Sequence, residues 1–131
     1  MKRIFYCAVA LIMAMACGGP APQQPADPEL QFNEDGKFKI VQFTDTHLCY
    51  NRRESFDKSV DVVMSIVKAE KPDLVVFTGD IVTSAPLKEG IDNLLAPLDE
   101  MGVPTLYLLG NHDREDELPG WEIAEVVTAH S

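Results

Sequence analysis

The chain has 131 residues, 46% of them apolar and 24% charged. That allows one globular domain at most and excludes chain-wide disorder and collagen-like or low-complexity character. Acidic residues outnumber basic ones 21 to 11, a formal charge of −10, which speaks against nucleic-acid binding through a basic surface and against phosphate binding unless metal cations reverse the local field.

The first 29 residues read as an address and a spacer. Lys2 and Arg3 precede an uncharged apolar run, residues 4–16. It suits the h-region of a secretory signal and is short of the about 20 residues that a bilayer-spanning helix needs. Ala14-Met15-Ala16 is a small-x-small cleavage pattern, and Cys17 follows at once. A cysteine there resembles a bacterial lipoprotein signal, which implies lipidation of Cys17, export, and a periplasmic or cell-surface place on a membrane. Ordinary secretion with Cys17 as a free thiol is the alternative. Cleavage after residue 16 removes Cys7, and acylation of Cys17 leaves Cys49 without a partner. No disulfide scaffold is therefore expected. Residues 17–29 hold four prolines and no bulky apolar side chain, and read as an extended tether. Residues 30–131 read as the folded part.

Leu30 and Phe32 before Asp35-Gly36, with Phe38 and Ile40 after it, predict a hairpin, because Asp-Gly suits a tight turn. Residues 38–44, β-branched and aromatic, predict a strand. Phe56, Val60, Val63 and Val67 recur at helical spacing and predict a helix over 55–70, stopped at Lys71-Pro72-Asp73. Leu74-Val75-Val76-Phe77 is an unbroken apolar run and predicts a strand covered on both faces. Ile91, Leu94, Leu95, Leu98 and Met101 predict a second helix over 88–101, kinked at Pro97 and ended by Gly102. Residues 105–109 predict another buried strand, and a last helix begins near Trp121. The order β-β-α-β-α-β predicts an α/β fold with a parallel sheet.

Polar residues gather where those strands end. The first ends in Asp45-Thr46-His47, the second in Gly79-Asp80, the third in Gly110-Asn111-His112-Asp113. In a parallel sheet these ends share one edge, where ligands bind in open α/β folds. Carboxylates, imidazoles and an amide suit divalent metals rather than nucleophilic catalysis. In Asp-x-His the two side chains lie on one side of an extended chain. A glycine before Asp80 and another before Asn111 let the backbone turn sharply and approach an ion.

These three segments resemble the calcineurin-like metallophosphoesterases, a superfamily of protein phosphatases, purple acid phosphatases, cyclic-nucleotide phosphodiesterases and repair nucleases. The resemblance covers residues 38–113. It implies a β-sandwich flanked by helices and two divalent ions (manganese, zinc or iron) at the strand ends. It implies Asp45 and His47 as ligands of the first ion, Asp80 as the carboxylate bridging both, and Asn111 as a ligand of the second. His112 then stabilises or protonates the leaving oxygen, and Asp113 accepts from its imidazole. The implied reaction is hydrolysis of a phosphate ester by hydroxide generated between two ions about 3.5–4 Å apart. No nucleic-acid partner is expected, and the sequence is silent on oligomeric state.

The family pattern continues downstream with a lone His and a Gly-His-x-His segment, whereas this sequence has only His47, His112 and His130. The expectation is therefore the N-terminal portion of a larger enzyme, with little activity by itself. The competing reading is a non-catalytic lipoprotein with a partial metal site. His130 reads as an exposed helix-end residue rather than a ligand. Purple acid phosphatases carry a Tyr where this chain has Thr83 and a Gly where it has His47, so a colourless metal pair is expected.

Overall fold

The computed structural model describes residues 30–114 and 118–130. The signal, the cleavage site, Cys17 and the tether lie outside the described residues, as do residues 115–117. Among the described residues no helix is long and apolar enough to cross a membrane.

Three parallel strands form one sheet in the order β1 (Ile40–Phe43), β2 (Leu74–Thr78), β3 (Thr105–Leu108). Ile40 pairs with Leu74 and Val75 with Thr105, so the C-terminal ends come into line. Helix α1 (Arg53–Glu70) links β1 to β2, and α2 (Leu87–Glu100) links β2 to β3. A single 3-10 turn, His112–Arg114, follows β3, and α3 (Gly120–Thr128) packs against α2.

The helices form where the periodicity places them. Phe56, Val63 and Val67 of α1 are buried, with Met64 beside them. Ion pairs one turn apart, Arg53–Asp57 at 2.9 Å and Glu54–Lys58 at 2.7 Å, line its exposed side. Lys71 ends the helix in a left-handed conformation ahead of Pro72. Helix α2 buries Leu87, Ile91, Leu94, Leu95 and Leu98, and runs through Pro97 in its last turn. It closes as a Schellman motif. Gly102 at φ 64° donates to the Asp99 carbonyl, and Val103 donates to the Leu98 carbonyl.

The core lies between the helices and one face of the sheet. Phe43 stacks on Phe77 at 5.4 Å, and Phe77 meets Tyr107 at 5.7 Å. One aromatic row thus crosses all three strands beneath their C-terminal ends. The opposite face differs from expectation. Along β2 only Val75 and Phe77 are buried, and Leu106 and Leu108 of β3 are about half exposed. Among the described residues that face has no covering layer, so the apolar run of β2 is covered on one side.

The hairpin also differs. The turn at Asp35-Gly36 is present, but β1 begins at Ile40 and no strand precedes it among the described residues. The Asn33 side chain accepts from the Asp35 and Lys37 amides at 3.1 and 2.8 Å. That closes a local side-chain turn and leaves Leu30 and Phe32 exposed. The observed order is β-α-β-α-β-α.

Candidate metal centre

Two loops leave the sheet side by side. The ladder between β1 and β2 continues past both strands. Asp45 donates its amide to the Gly79 carbonyl at 3.1 Å, His47 to Asp80 at 3.0 Å, and Leu48 to Ile81 at 2.7 Å. Thr83 donates back to Leu48 at 3.1 Å, and the Thr46 hydroxyl donates to the Ile81 carbonyl. Register fixed by the sheet therefore carries into the loops that hold Asp45, His47 and Asp80.

Those three side chains converge. One ligand atom from each lies within 4.8 Å of the others, and Asp80 is buried beneath the exposed Asp45 and His47. Two carboxylates this close repel each other unless a cation or proton lies between them. Two carboxylates and an imidazole form a donor set suited to zinc, manganese or iron. The residues present fit a divalent ion.

The route to convergence differs from the extended Asp-x-His segment. Asp45, His47 and Asp80 all adopt left-handed backbone conformations, at φ 50°, 47° and 53°. Among the described non-glycine residues only Lys71 joins them. Such geometry costs of order 1–3 kcal/mol per residue and persists where surrounding contacts enforce it. Three consecutive bonds to the neighbouring loop supply that enforcement here.

The third segment closes over the second. The His112 amide donates to Asp80 Oδ1 at 2.7 Å, and the His112 ring meets the His47 ring edge-on, 5.3 Å between centroids. Asn111 is exposed between Gly110 and His112 on the same loop. The two glycines work differently from the expected approach to an ion: they admit one loop to the other. A Cβ on Gly79, which is at φ 99°, would stand 2.9 Å from the Gly110 Cα. A Cβ on Gly110 would stand 2.5 Å from the Asp80 amide nitrogen.

Asp113 has a task that the resemblance did not imply: both of its carboxylate oxygens hold backbone amides. Oδ2 accepts from the Asp80 and Gly110 amides, each at 2.7 Å. Oδ1 accepts from the Ile81 and Val82 amides at 2.9 and 3.2 Å and from the Tyr107 hydroxyl at 3.3 Å. Asp113 is fully buried. Burial, and next the charge of Asp113, push the Tyr107 hydroxyl well above its ordinary pKa, so it remains a donor. Nothing in the residue order pointed to this role. The signal in hindsight is Tyr107, the polar tip of a buried strand, six residues before an acid.

His130 stands apart from this group. Its ring lies between two carboxylates of α2, Nδ1 at 2.5 Å from Asp99 and Nε2 at 3.0 Å from Asp92. It is a largely buried link between α3 and α2, where an exposed helix end was expected. Arg53 is occupied as well: it bonds Asn93 and Asp57 and lies 4.7 Å over the Tyr50 ring.

The chain is similar to several known proteins. The chain is 34% identical over 123 residues to a protein of Arabidopsis thaliana named probable inactive purple acid phosphatase 29, covering 82% of this chain and 32% of that protein. It is 33% identical over 126 residues to the Saccharomyces cerevisiae phosphatase DCR2, covering 84% and 22%. Over 79 residues it is 37% identical to the uncharacterized metallophosphoesterase YkuE of Bacillus subtilis, covering 58% and 26%. The chain thus spans a third or less of the length of these relatives. The profile of the calcineurin-like phosphoesterases matches residues 38–128, and with it the strands, helices and loops described above: the chain belongs to that family.

Proposed function

We propose that this chain supplies the first part of a metal-dependent phosphoester hydrolase centre. Asp45, His47 and Asp80 would hold one divalent ion, and Asp80 with Asn111 would begin the shell of a second. The carrying observation is the convergence of three donors from two loops, each in a left-handed conformation that the fold sustains. Divalent ions there would offset phosphate charge and lower the pKa of water. His112, edge-on to His47, would hold a proton for the departing oxygen. Asp80, with Oδ1 oriented by the His112 amide, would present its carboxylate at a fixed angle. Thr83, in the place where purple acid phosphatases carry a tyrosine, leaves no tyrosinate for a coloured iron centre. Export, and attachment to a membrane through Cys17, complete the proposal.

The second reading is a family member that keeps the fold and no catalysis. It is favoured by the word inactive in the name of a relative. Metal stoichiometry separates the two. Two Mn²⁺ or Zn²⁺ ions per chain support the enzyme; one or none supports the remnant. With either ion, the chain alone should turn over p-nitrophenyl phosphate barely above background. His47→Ala, which removes a direct ligand, should weaken binding of the first ion by at least the about 10–100-fold that outer-shell changes cost. Robust turnover that vanishes on Asp80→Ala would overturn the expectation of low activity. Binding indifferent to both His47→Ala and Asp45→Ala would overturn the site.

A further inference from the structure

Asp113 is buried, touches neither exposed ligand, and gathers amides from both loops that carry the remaining donors. Asp80, Ile81 and Val82 point three successive N–H groups at it, and Gly110 adds a fourth. Asp80 returns the favour by accepting from the amide of His112, the residue before Asp113. The two aspartates thus form a reciprocal clasp: each carboxylate holds backbone of the other's loop. The clasp also explains Gly110, since any side chain there would displace Asp80.

We propose that Asp113 is the positioning residue of the metal centre, fixing Asp80 in its left-handed conformation and seating the Asn111–His112 loop on it through the backbone amides of both. The inference rests on the reading that Asp45, His47 and Asp80 hold a cation. A carboxylate is needed because an ionised one has about four lone-pair sites and no donors. Four amides and the more distant Tyr107 hydroxyl share those sites. Asparagine has one oxygen, and its NH₂ would face N–H groups, leaving buried amides unsatisfied. Freed from its tether, Asp80 would relax toward an ordinary backbone conformation and carry its carboxylate away from His47. The effect reaches the metal without contact between Asp113 and the ion.

The test titrates Mn²⁺ into the full chain, comparing wild type with Asp113→Asn, Asp113→Glu, Tyr107→Phe and Leu94→Ala. Asp113→Asn should bind about 10–100-fold more weakly, as outer-shell substitutions do. Tyr107→Phe removes only the longest of the five bonds to Asp113 and keeps all four amides, so its loss should be smaller than that of Asp113→Asn. Leu94→Ala serves as a stability control: it hollows the core away from the loops, so its apo melting temperature should fall while its Mn²⁺ affinity holds. If Asp113→Asn fails to fold, Asp113→Glu keeps the charge but misplaces it by one methylene and should show the same loss. Hydrogen exchange in unsubstituted protein reads the clasp directly, and the Asp80, Ile81 and Gly110 amides should exchange as slowly as those of β2. Asp113 variants that bind Mn²⁺ like wild type, an affinity loss no greater than that of Leu94→Ala, or fast exchange at those amides would each overturn the proposal. Absence of Mn²⁺ binding in wild type would instead bring down the metal reading, and this inference with it.

Discussion

At Gly110 two loops meet with no room for a methyl group. A Cβ there would stand 2.5 Å from the Asp80 amide nitrogen, and backbone cannot yield as a flexible side chain can. Gly110→Ala should therefore cost about 1–3 kcal/mol, the range for overpacking, read from the urea midpoint. It should also weaken Mn²⁺ binding, because the atom displaced belongs to Asp80. Gly36→Ala is the contrast: it sits at positive φ, but open space surrounds it, so binding should stay intact. At this scale the sequence was partly legible. Asp45, His47 and Asp80 could be singled out because a strand precedes each of their segments. The backbone-holding role of Asp113 was not legible, because its neighbour in sequence, His112, looked like its partner. Its donors come from residues 80–82, some thirty positions upstream, and no local pattern encodes such a contact.

Helix α3 is held to α2 by a link that titrates. His130 lies between Asp92 and Asp99, and Asp92 is also paired with Lys88 at 2.6 Å. Burial works against the charged imidazole, but the hydrogen bonds to Asp92 and Asp99 and their negative charge outweigh it and hold His130 above its ordinary value. Burial likewise raises Asp92, and Lys88 and His130 together bring it below its usual range. The sign for stability follows. The His130 contribution is complete below about pH 6.5, where the unfolded imidazole is protonated too. It is lost as pH rises through the elevated folded-state value. Both acids are partly exposed, so the magnitude belongs with surface pairs, about 0.2–1 kcal/mol. The melting-temperature gap between wild type and His130→Gln should shrink from pH 6 to pH 9; a gap that widens would refute the link. Elements themselves were the most legible level. The expected helix over 55–70 and strand over 74–77 stand within two residues of α1 and β2. The first hairpin strand was not legible, because the Asn33 side chain closes its turn locally where a cross-strand partner was expected.

The molecule as a whole is strongly acidic. Its formal charge of −10 leaves little native attraction for a phosphate ester, so cations at the Asp45–His47–Asp80 group would have to provide it. If Cys17 is the lipid attachment point, a bacterial host expressing the chain should incorporate labelled palmitate into it, and Cys17→Ser should abolish the label and release the protein from membranes. Retention of the label after Cys17→Ser would sink the lipoprotein reading. The open sheet face runs against the two-sided cover expected for the apolar run of β2. Leu106 and Leu108 stand about half exposed on it.

The clasp between Asp80 and Asp113 has a consequence for the order of events on the ribosome. The donors of Asp45, His47 and Asp80 are all synthesised before the polypeptide reaches residue 81, yet the carboxylate that fastens Asp80 arrives 33 positions later. A nascent chain paused after α2 already owns every side chain of the trio and none of the anchoring from β3's loop. Tight capture of an ion would thereby be deferred until the third strand has docked, so stray cations meeting an unfinished chain would find only loosely held donors.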